Sequence, residues 1–262
     1  RDGAFEALVL PPTLYTVEAG AFQNCAIREL VLFDSLRDIS GESFQNCRDP
    51  ETLRVNAAVS PAYSGSYFDT FSDKYDWLLS LRGQKKLVLF SGSSGRYGYD
   101  SPALAAAFPG CVPANMGVYA YSNALPQLEL IRGLMEAGDV LLSAPEFDAA
   151  EEQFCASNRL DPSFWAMMES NYDAAALLDL RKYSGVFDSL GEYLAVRRGM
   201  AGRSYGESPA NYDDDGNRYA FATYNQYGDL TLPRPNGERD VCLRRNIANY
   251  TAANVTPEYV EA

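Results

Sequence analysis

The sequence predicts an α/β protein: a three-layer parallel sheet with helices on both faces, preceded by a short β-solenoid segment. Three observations carry that prediction. The tetrapeptide Phe-Gln-Asn-Cys occurs at Phe22 and again at Phe44, a spacing of 22, which is a solenoid period. From Lys86 onward, apolar runs alternate with helix-period stretches at βαβ spacing. Finally, 87-LVLF-90 runs straight into 91-SGSSG-95, as a buried parallel strand delivers a small polar loop to a sheet edge.

In residues 1–57 each unit pairs a turn with a short strand. Leu30 and Leu32, like Leu53 and Val55, alternate with strand period, while Phe22 or Phe44 and the following Cys point into the stack. A partial earlier copy begins at Phe5, 17 residues before Phe22 and so 5 short of the period. The pattern resembles the leucine-rich repeats of bacterial surface proteins, in which a Gly-x-x-Phe-x-x-Cys turn precedes a Leu-x-x-Val-x-Leu-Pro strand; 8-LVLPPTLYTV-17 fits that strand. The resemblance implies an extracellular or cell-surface location and a repeat face able to take a protein or carbohydrate ligand. Two and a half repeats bury too little surface to stand alone, so either further repeats or a cap supplied by the following chain is expected.

Residues 58–85 read as a linker and a short amphipathic helix marked by Tyr75, Leu78, Leu79 and Leu81. In residues 86–262, strands are expected at Leu87–Phe90, within 111–117 and at Asp139–Ser143. Helices are expected at Pro102–Phe108, capped by Ser101, and at Leu125–Glu136, Pro162–Met168, Asp173–Tyr183 and Val186–Arg198. Residues 204–240, poor in aliphatics and rich in turn formers, read as a long excursion with one hairpin.

Composition excludes several functions. The chain has 22 basic and 35 acidic residues, a net charge of -13, which opposes attraction to nucleic acid or anionic lipid. No apolar stretch reaches the roughly 18–20 residues of a membrane span. Cys25, Cys47, Cys111, Cys155 and Cys242 include no C-x-x-C pair, so neither a zinc site nor a disulfide framework is expected. The acidic run at Asp213–Asp215 lacks the closing Glu of an EF-hand and reads as a solvated turn. No metal or cofactor is expected.

Three blocks, 85-KKLVLFSGSSGRYGYDS-101, 114-ANMGVYAYSN-123 and 138-GDVLLSAPEF-147, fall in order on successive expected strands. Together they resemble the SGNH/GDSL hydrolases, in a divergent bacterial branch, and cover about a quarter of residues 86–262. The resemblance implies a flavodoxin-like sheet and ester hydrolysis, with carbohydrate O-acetyl esters as one substrate class. It places Gly92, Ser93 and Ser94 on the nucleophile loop, with Ser94 attacking the carbonyl and its amide helping to hold the oxyanion. The second block supplies an amide from Gly117, with Asn115 lining the site, although strict alignment puts Ala120 at that position. The third block departs from the family: Pro145 and Glu146 stand where an Asn belongs, and a carboxylate repels an oxyanion.

The fourth block, an Asp-x-x-His that supplies the base, is missing, and the chain contains no histidine. Two explanations compete: a domain cut short before its C-terminal block, which the reading favours, or a pseudoenzyme. Lys85 and Lys86 precede the strand and lie roughly 15 Å or more from Ser94 at about 3.3 Å per residue, too far for a Ser-Lys dyad. Asp148, Glu151 and Glu152 read as a solvated helical face rather than a glycosidase pair. The loop 92-GSSG-95 lacks the Lys of a P-loop, and its serines also suit plain helix caps. The expectation is therefore an esterase-like domain, inactive without a His base; the alternative is a non-catalytic surface binding or adhesion protein.

Overall fold

The computed structural model describes residues 2–33, 36, 38–55, 63, 70–118, 123–144, 157–169, 171–199 and 224–231. It is a mixed α/β structure whose sheets are parallel, with no closed barrel among the described residues.

The first half is a parallel ladder built on one repeated turn. Strands β1 (Ala4–Val9), β3 (Ala26–Leu32) and β5 (Thr52–Val55) form one sheet in that order, and β2 (Thr16–Val17) pairs with β4 (Asp38–Ile39). Leu8, Leu30 and Leu53 stand in register across the sheet. Asp2, Asn24 and Asn46 recur every 22 residues with φ of 59°, 63° and 57°. Asp and Asn tolerate this left-handed turn conformation best among residues with a side chain, which is why the tetrapeptide keeps its Asn. The register corrects the reading of the first copy. Ala4 pairs with Ala26 and Phe5 with Ile27, so Phe5 is not the counterpart of Phe22, and the full 22-residue spacing extends to the first strand.

Between turns, like meets like. Gln23 donates to Gln45 at 2.8 Å and Asn46 to Asn24 at 3.2 Å, and the Phe22 and Phe44 rings stack at 5.5 Å. Cys25 is buried, and the half-buried Cys47 donates to Phe22 O at 3.0 Å. Burial raises the Cys47 thiol to about 11, so it stays protonated and behaves as a small apolar core residue.

The second sheet has the order β7-β6-β8. Its central strand is β6 (Lys86–Phe90), flanked by β7 (Val112–Asn115) and β8 (Val140–Ser143), all parallel. Every residue of β6 is buried, as expected for an apolar run inside a parallel sheet. Helix α1 (Thr70–Ser80) places Phe71, Tyr75 and Leu78 on one buried stripe and packs against α4 (Ala124–Leu134) and α5 (Pro162–Met167). The short helix expected from Tyr75, Leu78, Leu79 and Leu81 thus starts earlier, at Thr70, and ends at Ser80.

Two further expectations are corrected. The cap of α3 (Ser101–Ala107) is Asp100, whose carboxylate accepts from Ala103 N; Ser101 is buried and used elsewhere. The helix expected at Asp173–Tyr183 is two pieces, α6 (Tyr172–Ala175) and a 3-10 turn at Leu180–Lys182. Asp179 separates them by turning its carboxylate onto Arg181 N at 3.3 Å, a capping role that competes with helix continuation.

The repeats are capped by the chain that follows, through α7 (Val186–Gly199) and the 3-10 turn. Phe187 stacks on Phe44 at 6.1 Å, and Leu180 N donates to Glu51 O at 3.2 Å. Gly41 and Gly191 meet backbone to backbone: a Cβ on Gly191 would lie 2.3 Å from Gly41 O. The apolar surface that two and a half repeats leave open is closed here.

Candidate active-site edge

The chemistry-bearing loops converge at the C-terminal end of β6 and β7. Beyond Phe90 the chain passes buried Ser91 and half-buried Gly92 into α2 (Ser93–Gly98), where Ser93 is half-buried and Ser94 exposed. Ser94 is thus exposed just beyond the end of the central strand. Gly92 precedes the helix without a side-chain cap.

Two glycines let this loop sit close to the turn after β7. A Cβ at Gly95 would fall 1.7 Å from Ser91 Oγ, and one at Gly117 would fall 2.6 Å from Arg96 N. No larger residue fits either position, so Gly95 is required by packing and not by a phosphate.

Asn115 joins the two loops. Its side chain is fully buried; Nδ2 donates to Gly95 O at 3.1 Å and to Asp229 Oδ1 at 2.8 Å, while Oδ1 accepts from Gly117 N at 2.9 Å. The Gly117 amide, assigned from sequence as an oxyanion donor, is thus committed to Asn115 and reaches a ligand only by giving up that bond. Asn115 itself lies beneath the site surface. Ala120 and Glu146 lie outside the described residues.

Below this edge is a polar core that sequence reading missed. Asp229, on the turn spanning 224–231, accepts from Ser101 N at 3.1 Å, Ser101 Oγ at 2.6 Å, Asn115 Nδ2 at 2.8 Å and Asn225 Nδ2 at 3.1 Å. The same turn is anchored by its backbone: Asn115 N donates to Tyr227 O at 2.8 Å and Leu230 N to Arg96 O at 3.3 Å. Gly228, at φ +82° and with Asn115 O 2.6 Å from where a Cβ would stand, allows that approach. Lys74 is wholly buried, donates to Gly117 O at 2.7 Å and lies 4.6 Å from the Tyr224 ring, which also has the Arg96 guanidinium 5.1 Å away. Burial, aided by Arg96, lowers the Lys74 pKa well below the usual lysine range. One sequence signal existed: Lys74 falls on the stripe formed by Phe71, Tyr75 and Leu78.

The remaining lysine candidate is at the wrong end of the sheet. Lys86 starts β6, is buried, and pairs with Asp139 at 3.0 Å and Glu136 at 2.8 Å. Burial opposes its charge, but the hydrogen bonds to Glu136 and Asp139 outweigh it and raise its pKa. It remains a cation and cannot act as a base for Ser94.

Among the described residues, no group of three His, Cys, Asp or Glu side chains could hold a metal ion, and no helix is long and apolar enough to cross a membrane. Comparison with protein-family models, curated proteins and solved structures finds no match.

Proposed function

We propose that residues 86–262 form an SGNH-like, three-layer acyl-ester hydrolase scaffold with Ser94 as the nucleophile, joined to leucine-rich repeats at a cell surface. The observation that carries this reading is the exposed Ser94 just beyond the central strand, beside the Asn115–Gly117 turn. The three sequence blocks supply the chemistry, with O-acetylated glycans as the substrate class.

The chain contains no histidine, and its two buried lysines are committed, Lys74 to Gly117 O and Lys86 to a carboxylate pair. A positioned general base contributes about 10²–10⁴-fold. Lacking one, the 262-residue chain holds an ester beside Ser94 without turning it over. In an assay with 4-nitrophenyl acetate and an O-acetylated glycan, the chain and its Ser94→Ala variant should release product at the same background rate. Robust turnover by the unmodified chain would overturn the reading.

A second reading rests on the repeat face, where exposed side chains form polar ladders. Arg28 bridges Glu6 at 2.8 Å and Glu51 at 2.6 Å, and Arg54 pairs with Glu29 at 3.0 Å. Exposed ion pairs add little stability, so such a ladder suits a protein or carbohydrate ligand better than it suits folding. Under this reading Arg28→Ala abolishes glycan or protein capture while leaving the unfolding transition in place.

A further inference from the structure

A cavity of about 480 Å³ opens beside Asn123, the residue preceding α4, and is walled by Ser157, by residues 159–162 and by Ser189 and Glu192 of α7. Its size is within the range of about 300–1,000 Å³ typical of small-molecule sites. Among the described residues, Leu160 and Pro162 are its apolar lining, and no aromatic ring lines it to stack on a sugar or base.

The frame of the cavity is fixed by internal bonds. Buried Asn123 donates from Nδ2 to Arg159 O at 2.7 Å and accepts from Asp161 N at Oδ1. Leu160 N donates to Ser184 O at 2.9 Å, and Gly185, at φ +64°, leaves room for the Arg159 side chain, which lies 2.8 Å from where a Cβ would stand. Ser189 Oγ accepts from Trp165 Nε1 at 2.9 Å and donates to Val186 O at 3.0 Å. Ser157 Oγ accepts from Arg159 N at 3.1 Å, so the neutral polar side chains of the lining are spent within the protein.

The charged groups are not. Among the described residues Arg159 makes one long ion pair, to Asp188 at 3.7 Å, and pairs with neither Glu192 nor Asp161. Among the described residues Glu192 enters no hydrogen bond or ion pair, and Asp161 uses Oδ1 to accept from Ser163 N at 2.8 Å. One cavity thus presents a guanidinium and two carboxylates that do not neutralise one another.

We propose that this cavity binds a small zwitterion, such as a free dipeptide, with its carboxylate on Arg159 and its ammonium on Glu192 and Asp161. A simple anion would face two carboxylates, and a simple cation would face the guanidinium. A zwitterion satisfies both ends, and a guanidinium is well suited to a carboxylate. The site does not depend on Ser94, so it stands or falls separately from the esterase reading.

The test is calorimetric titration of the purified full chain with alanyl-alanine, its N-acetyl derivative and its C-terminal amide. Alanyl-alanine should bind saturably, and removal of either charge should weaken binding by about tenfold or more. Arg159→Gln should weaken alanyl-alanine and the N-acetyl form while sparing the amide, and Glu192→Gln should do the converse. Both side chains are exposed, so both variants should fold. Absence of saturable binding, equal binding of the three compounds, or indifference to both substitutions would overturn the proposal.

Discussion

Asp229 is the side chain on which the candidate site most depends. It holds four donors from three parts of the chain, and through Asn115 it fixes both the Ser94 loop and the Gly117 turn. Asp229→Ala leaves those donors buried without an acceptor, so a loss of at least about 3 kcal/mol is expected in urea unfolding. A change within about 0.5 kcal/mol would contradict this role. Lys74 makes a second prediction. Its folded pKa is depressed by burial, so below the ordinary value near 10.4 the unfolded chain binds a proton that the folded chain does not. Stability must then rise with pH across that window. Between pH 9 and 10, Lys74→Met should flatten the dependence by roughly 1 kcal/mol per pH unit; an unchanged slope would show that Lys74 is charged in the folded state. Neither residue was assigned from sequence. Asp229 lies in a turn-rich segment with no apolar period, and nothing local states that this turn docks 114 positions away on Asn115. Lys74 was legible only as a charge on an apolar stripe, which ordinarily marks a stem that reaches the surface. The position of Ser94, in contrast, was legible: a buried apolar run followed by Gly and Ser places it just beyond the central strand.

At the scale of elements, helix α7 gives the repeat ladder its end. Gly191 within it has nothing in its own helix to favour glycine, and replacing a helical Gly with Ala normally gains about 1 kcal/mol. Here the added methyl would stand 2.3 Å from the Gly41 carbonyl oxygen, and overpacking against backbone costs about 1–3 kcal/mol. Gly191→Ala should therefore lower the thermal midpoint measured by circular dichroism, and a rise would show that the contact yields freely. The repeat itself was readable because Asn24 and Asn46, 22 residues apart, must keep their left-handed turns, so the period survives in the letters; Leu30 and Leu53 stay in register although one residue further apart. The first copy was misjudged because Phe5 resembles Phe22 in type but occupies the position of Ile27. The break at Asp179 was hidden because helix periodicity continues through a residue whose side chain bonds the backbone ahead of it.

The whole molecule places its two candidate surfaces on one framework. The repeat ladder ends on α7, the same helix that supplies Ser189 and Glu192 to the cavity beside α4. Strand β8 is an edge among the described residues, with Val140, Leu141 and Leu142 exposed. The parallel α/β class was legible from strand and helix alternation, since a parallel connection requires a crossover. The assembly of the edge from residues as distant as Lys74, Ser94, Asn115 and Asp229 was not, because contacts of that range leave no period behind. Under the proposed function, Ser94 is a nucleophile lacking only its base. The most direct measurement is to incubate the chain with 4-nitrophenyl acetate in imidazole buffer and locate acetyl groups by peptide mass spectrometry. Acetylation of Ser94 is expected when imidazole is present and little without it. A chain acetylated on its lysines with Ser94 unmodified would contradict it.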